Sequence, residues 1–147
     1  MTYNGAGWPL TVTDPLSNIT RFEYDAVGNL TAVIDPLRNR TTWEFDGVSR
    51  LIRQLNALGQ ATTFGYDQLN RLETVLDALA GATGFTYDPN GNLLTVTDAR
   101  GNVTSHTYDT MDRVATRTDP VGAGESFVYD GLNNLTPHDP KDGTQVL

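Results

Sequence analysis

The sequence predicts an all-β fold: an antiparallel β-hairpin meander of tandem 21-residue units, forming a curved sheet or part of a β-shell. Three observations predict it. Aromatic residues recur at two fixed phases of a 21-residue period, the segments that carry them alternate at period two, and Asp-led turn sequences separate every segment from the next.

The first ring column holds Tyr3, Tyr24, Phe45, Tyr66, Tyr87, Tyr108 and Tyr129. Two residues upstream runs a second: Phe22, Trp43, Phe64, Phe85, His106 and Phe127. These columns take every tyrosine, every phenylalanine and one of the two tryptophans, leaving only Trp8 outside. In Thr20-Arg21-Phe22-Glu23-Tyr24, the residues Thr20, Phe22 and Tyr24 fall on one side, the pattern of a half-covered strand. The second segment of each unit, Leu30 to Ile34 and its equivalents, is rich in Leu, Thr, Val and Ile, which suit a pleated surface. Its aliphatic column is Leu30, Leu51, Leu72, Leu93, Val114 and Leu135. Whether Leu30 or Val33 shares the ring face depends on the length of the intervening turn, and both registers stay open at this point.

Two acidic columns mark the turns. Asp25, Asp46, Asp67, Asp88, Asp109 and Asp130 follow the first ring column, and Asp35, Asp77, Asp98 and Asp119 close the second segments. Asp accepts nearby backbone N–H groups, Pro presets φ, and Gly or Asn tolerates φ > 0, so these stretches read as tight turns forming polar rims. About 13 strands result, more than the roughly 10 that a twisted open sheet usually carries. Such a meander curls, pairs its edges with another copy, or continues as part of a longer wall. The period covers residues 1–136. Residues 137–147 read as an out-of-register tail, since Asp139 arrives one position early through Pro137-His138.

Composition narrows the function. Ten Lys+Arg against 18 Asp+Glu give a net charge of -8, which argues against nucleic acid and anionic membrane surfaces. The absence of cysteine removes disulfides and thiol chemistry. No run approaches the ~18 apolar residues of a spanning helix, so no membrane insertion is expected. Residues 1 to 10 lack the charged and apolar regions of a signal peptide.

The unit Tyr24-Asp25-Ala26-Val27-Gly28-Asn29-Leu30 through Asp35-Pro36 resembles the YD repeat of the Rhs family, and Tyr87-Asp88-Pro89-Asn90-Gly91-Asn92-Leu93 matches it most closely. The pattern is similar to that of the YD shells of insecticidal toxin-complex C components and teneurins. The resemblance implies a secreted or cell-surface structural module, a β-sheet wall that encapsulates a toxin or other polypeptide cargo. It also implies self-association, or continuation into the remainder of a longer repeat chain. Self-cleavage is not carried over, because Asp139-Pro140 lacks the accompanying Gly-Leu. Two other readings stay open: a self-assembling extracellular fibre built by edge-to-edge strand pairing, and a glycan-binding or adhesion surface.

Catalytic, cofactor and metal sites are not expected. His106 occupies a ring column and reads as packing, while Ser105 and His106, adjacent in a strand, point to opposite faces. Asp88-x-Asn90-x-Asn92 lacks the carboxylate at the twelfth position that a calcium loop needs, where Ala99 stands. An active site needs one place unlike the others, and a repeat array distributes the same groups evenly.

Overall fold

A computed structural model describes residues 1–136; the expected tail, with His138 and Asp139, lies outside the described residues. The strands are β1 (Thr2–Tyr3), β2 (Pro9–Thr13), β3 (Ile19–Tyr24), β4 (Leu30–Ile34), β5 (Arg40–Phe45), β6 (Leu51–Leu55), β7 (Ala61–Tyr66) and β8 (Leu72–Leu76). They continue as β9 (Ala82–Tyr87), β10 (Leu93–Thr97), β11 (Val103–Tyr108), β12 (Val114–Thr118), β13 (Gly124–Ser126), β14 (Val128–Tyr129) and β15 (Leu135–Thr136). Among the described residues there is no helix. β1 to β13 follow one another in chain order as a 13-stranded antiparallel meander, and β14 pairs with β15. The chain packs as two compact units, one of residues 1–65 with 75–80, the other of residues 66–74 with those from Gly81 onward.

The sheet fixes the register that the sequence left open, and it does so with a bulge. In the first unit Phe22 faces Val33 and Tyr24 faces Leu30, with an irregularity between Glu23 and Tyr24 that leaves Thr31 unpaired. The same irregularity recurs between Glu44 and Phe45, and in the second unit opposite Leu94 and between Thr107 and Tyr108. An extra residue on one strand shifts side-chain phase by one, so Leu30 and Val33 both join the ring face. The cross-strand rows on that face read ring, valine, threonine: Phe22–Val33–Thr41 in the first unit and Phe85–Val96–Thr104 in the second.

The opposite face carries polar rungs. Thr86 and Thr95 share a hydrogen bond of 2.6 Å, and Thr107 and Thr116 one of 2.7 Å. Arg40 on β5 reaches across β4 to Glu23 on β3 with two bonds of 2.8 and 2.6 Å. Ala32 lies between those strands, paired with Glu23 and Thr42, and is the one fully buried apolar residue among those described. Most other strand residues are half-buried, so ladder contacts within the sheet replace a two-layer core.

The last ring segment departs from expectation. Phe127 belongs to neither β13 nor β14, although its N–H still donates to the Ala115 carbonyl at 2.9 Å.

Candidate functional site

Each turn is a five-residue loop built around its first side chain. The Asp25 carboxylate accepts the N–H groups of Val27, Gly28 and Asn29 on Oδ1, and the Asn29 side-chain amide on Oδ2 at 2.8 Å. The Asp25 N–H donates to the Asn29 carbonyl, closing the loop. Asp35, Asp88, Asp98 and Asp130 repeat the arrangement with Asn39, Asn92, Asn102 and Asn134. In Asp67 and Asp109 the amide is replaced by the Nε–H of Arg71 or Arg113, at 2.6 and 2.7 Å, and Arg50 serves Asp46 likewise. Asp77 accepts the Leu79 N–H, and Asp119 those of Val121 and Ala123. The fourth residue of every loop has φ > 0, alternating ten and eleven residues apart from Gly7 and Ser17 through Gly122 to Asn133.

These donors stabilise the ionised carboxylates. The side-chain amides of Asn29, Asn39, Asn92 and Asn134 hold Asp25, Asp35, Asp88 and Asp130 below the ordinary aspartate range. Backbone N–H groups lead the same downward shift at Asp46 and Asp67, and the Arg113 guanidinium leads it at Asp109.

The ring columns are half-buried: Phe22, Tyr24, Trp43 and Phe45 in the first unit, with Phe64 and Tyr66 on β7 and Phe85, Tyr87, Tyr108, Phe127 and Tyr129 in the second. The structure gives the tyrosines a second job. Tyr87 donates its hydroxyl to the Leu72 carbonyl at 2.8 Å, Tyr108 to Leu93 at 2.8 Å, and Tyr129 to Val114 at 3.0 Å. Each bond binds a ring to the preceding unit.

Sequence reasoning missed the column that finishes the ring-side turns. Arg71 lies over the Tyr87 ring at 4.7 Å while also donating to the Asp88 carbonyl. Arg113 lies over Tyr129 at 4.3 Å and donates to the Asn133 side chain. Trp8 takes the same place one array-end earlier, its ring centroid 5.3 Å from that of Tyr24. Trp8, Asn29, Arg50, Arg71, Asn92, Arg113 and Asn134 share one phase of the period, so the signal lay in position rather than residue type. Asn92 and Asn90 extend the tie to Asp112 of the next ring-side turn.

The RHS Repeat family matches residues 3–40, 24–54, 45–82 and 87–125, in overlapping segments that follow this periodicity. The chain belongs to the RHS repeat family. Its fold is similar to solved structures of the Photorhabdus luminescens Tc holotoxin pore, of TcdB2-TccC3, and of TcdB2-TccC3 without its hypervariable C-terminal region. In each the TM-score is 0.77 at 18% sequence identity, with 92% of this chain covered. The chain spans only 8% of the length of the first and 9% of the others. No curated protein matches in sequence.

Within this RHS array two rows break the pattern: Gln54 takes the valine position between Trp43 and Thr62, and a second row departs at all three positions. His106, Arg117 and Glu125 take the ring, valine and threonine positions of a single row across β11, β12 and β13. Arg117 and Glu125 are 3.3 Å apart and about half exposed, a geometry worth little in stability. The His106 Nδ1 is buried without a hydrogen-bond partner. Ser105 pairs with Thr95 and Thr118 on the other face. No group of three metal-ligating side chains converges among the described residues.

One expectation is corrected here. The rims are mixed, with exposed apolar tips among polar residues such as Arg38 and Asn70. Asp and Asn side chains turn inward to bond their own loops, and the third residue of most turns projects outward as Leu, Val or Met, for example Leu37 and Met111. Loop closure consumes the polar groups, which leaves the tip free to carry an apolar side chain.

Proposed function

We propose that this chain is a stretch of sheet wall in an Rhs-type shell that encloses a toxin or other polypeptide, and that it performs no catalysis. The observation that carries the reading is the recurrence of one joint. In the second unit Tyr87, Tyr108 and Tyr129 each donate to a carbonyl of the preceding repeat. Because the joint is the same at these three successive steps, further repeats of this kind add without any new type of contact.

A wall of this kind continues through its edges. β1 has a strand neighbour on one side only, and the next repeat of a longer chain, or a second copy, would pair with it. The small share of the Tc chains that this chain covers supports the first arrangement. A secreted or cell-surface setting accords with the same reading. The ring face is a poorer glycan platform than the sequence suggests, because Tyr87, Tyr108 and Tyr129 spend their hydroxyl protons on backbone carbonyls.

Limited proteolysis of the natural polypeptide that carries the array tests the proposal. A non-repeat segment that resists protease in the native protein, and is cut once the sheet is opened with denaturant, supports enclosure. Cleavage of all non-repeat sequence at the rate of the free peptides would rule it out.

A further inference from the structure

Two loops begin with asparagine where the others begin with aspartate, at Asn4 and Asn56. The Asn4 side chain takes up its loop's donors as a carboxylate would. Its Oδ1 accepts the Ala6 N–H at 3.0 Å and the Trp8 N–H at 2.9 Å. Its amide nitrogen is left over, and among the described residues nothing accepts from it. The next residue, Gly5, is exposed, its N–H is unbonded, and open space lies where a Cβ would stand.

Together these features place an electrophile beside a nucleophile. The two N–H groups polarise the Asn4 Cγ carbonyl and stabilise negative charge on Oδ1 when a nucleophile adds, the work of an oxyanion hole. The Gly5 nitrogen is the atom that closes a succinimide ring on that carbon, and glycine has no side chain to hinder the approach. Other asparagines hold only part of this set. Asn56 receives N–H bonds from Leu58 and Gln60, but Ala57 follows it and its amide donates to Gln60 Oε1 at 2.7 Å. Asn90 precedes Gly91, but that N–H donates to the Asp88 carbonyl, and Asp112 holds the Asn90 amide at 2.9 Å.

We propose that Asn4 is a self-modification site, where spontaneous deamidation converts the leading asparagine of the loop to aspartate. The Gly5 nitrogen loses its proton to solvent and bonds Asn4 Cγ. The Cγ–Nδ2 bond breaks, and the amide nitrogen takes up a proton and leaves as ammonia. Water then opens the succinimide, at Cγ to give aspartate or at the main-chain carbonyl to give isoaspartate. Only aspartate keeps the backbone length and refits the loop. There the same two N–H groups meet a full charge and bind it more strongly, as they do at Asp14 and Asp98. The product tightens the loop that seats Trp8 against Tyr24.

Peptide mapping by mass spectrometry tests it, on the intact chain incubated at mildly alkaline pH and sampled over time. In the folded protein Asn4 should convert roughly tenfold or more faster than Asn90, with Asn56 slower still. In guanidinium, where only the Asn-Gly sequence matters, Asn4 and Asn90 should convert at similar rates. Gly5→Ala should suppress conversion at Asn4 without changing the far-UV spectrum, because the added Cβ meets nothing within 4 Å. Asn4→Asp reads the product directly, and its urea midpoint should lie above that of freshly prepared wild type. An Asn4 that stays intact while Asn90 converts would overturn the proposal. So would the same ratio of the two rates in folded and unfolded protein, or an Asn4→Asp midpoint no higher than that of the wild type.

Discussion

Tyr87 combines three contacts that the joint between repeats depends on, and substitutions separate them. Its hydroxyl donates to the Leu72 carbonyl at 2.8 Å, its ring lies under the Arg71 guanidinium at 4.7 Å, and it faces Leu93 across the sheet. The hydrogen bond contributes about 1 kcal/mol. The cation–π contact adds about 0.5–1 kcal/mol at a partly exposed site. Truncating a fully buried aromatic costs about 3–5 kcal/mol, so a half-buried ring corresponds to about 2 kcal/mol. Tyr87→Ala should therefore destabilise by about 3–4 kcal/mol and Tyr87→Phe by about 1 kcal/mol, the bond alone. Urea unfolding followed by circular dichroism measures both. A loss below about 0.5 kcal/mol for Tyr87→Ala, or equal losses for the two variants, would refute this division of the joint.

Gly28 has φ +104°, and a Cβ there would stand 2.6 Å from the Trp8 ring, so Gly28→Ala should cost about 2–3 kcal/mol in the same urea assay. His106→Phe restores the ring column and removes a buried nitrogen without a partner; the urea midpoint should rise, by about 1 kcal/mol of stability. Asp25, Asp67 and Asp109 titrate below the ordinary aspartate value of 3.8, their ionised forms held by Asn, backbone and Arg donors in turn. The unfolded chain then binds protons first as pH falls, so this stabilisation is complete above the unfolded pKa and is lost as pH drops through the depressed folded values. A urea midpoint measured from neutral pH downward should hold until about pH 5 and decline below about pH 4; a midpoint constant down to about pH 2 would contradict the turn chemistry.

Much of the fold was legible because its rules are local. Period-two alternation marked the strands near Phe22, Phe64 and Phe85, and the Asp-led sequences marked the turns between them. What was not legible depends on register or on where a side chain turns. The bulge at Thr31 decides that Leu30 and Val33 share a face, and alternation cannot count an unpaired residue. The coincidence of His106, Arg117 and Glu125 in one row appears only once β11, β12 and β13 are aligned, although each departure stands in the sequence. Arg71 and Arg113 share a phase with Trp8 and Asn29, so a search by residue type passed over them. The turn tips were hidden for a different reason: the Asn39 side chain donates to Asp35 within the loop, which leaves Leu37 outside.

The central claim is that the 21-residue hairpin unit, joined to its neighbours by one repeated set of contacts, is what the chain is made of. Paired deletions test it most directly, read by far-UV circular dichroism and the cooperativity of urea unfolding. Removing residues 67–87 excises a whole period and joins Tyr66 to Asp88, keeping strand direction, ring face and rim assignment for every later unit. Removing residues 67–76 joins Tyr66 to Asp77, which reverses every later strand and exchanges the two rims. The first protein should retain a β spectrum and unfold cooperatively near the wild-type midpoint, and the second should not fold. Equal folding of the two, or loss of structure in the whole-period deletion, would contradict the account.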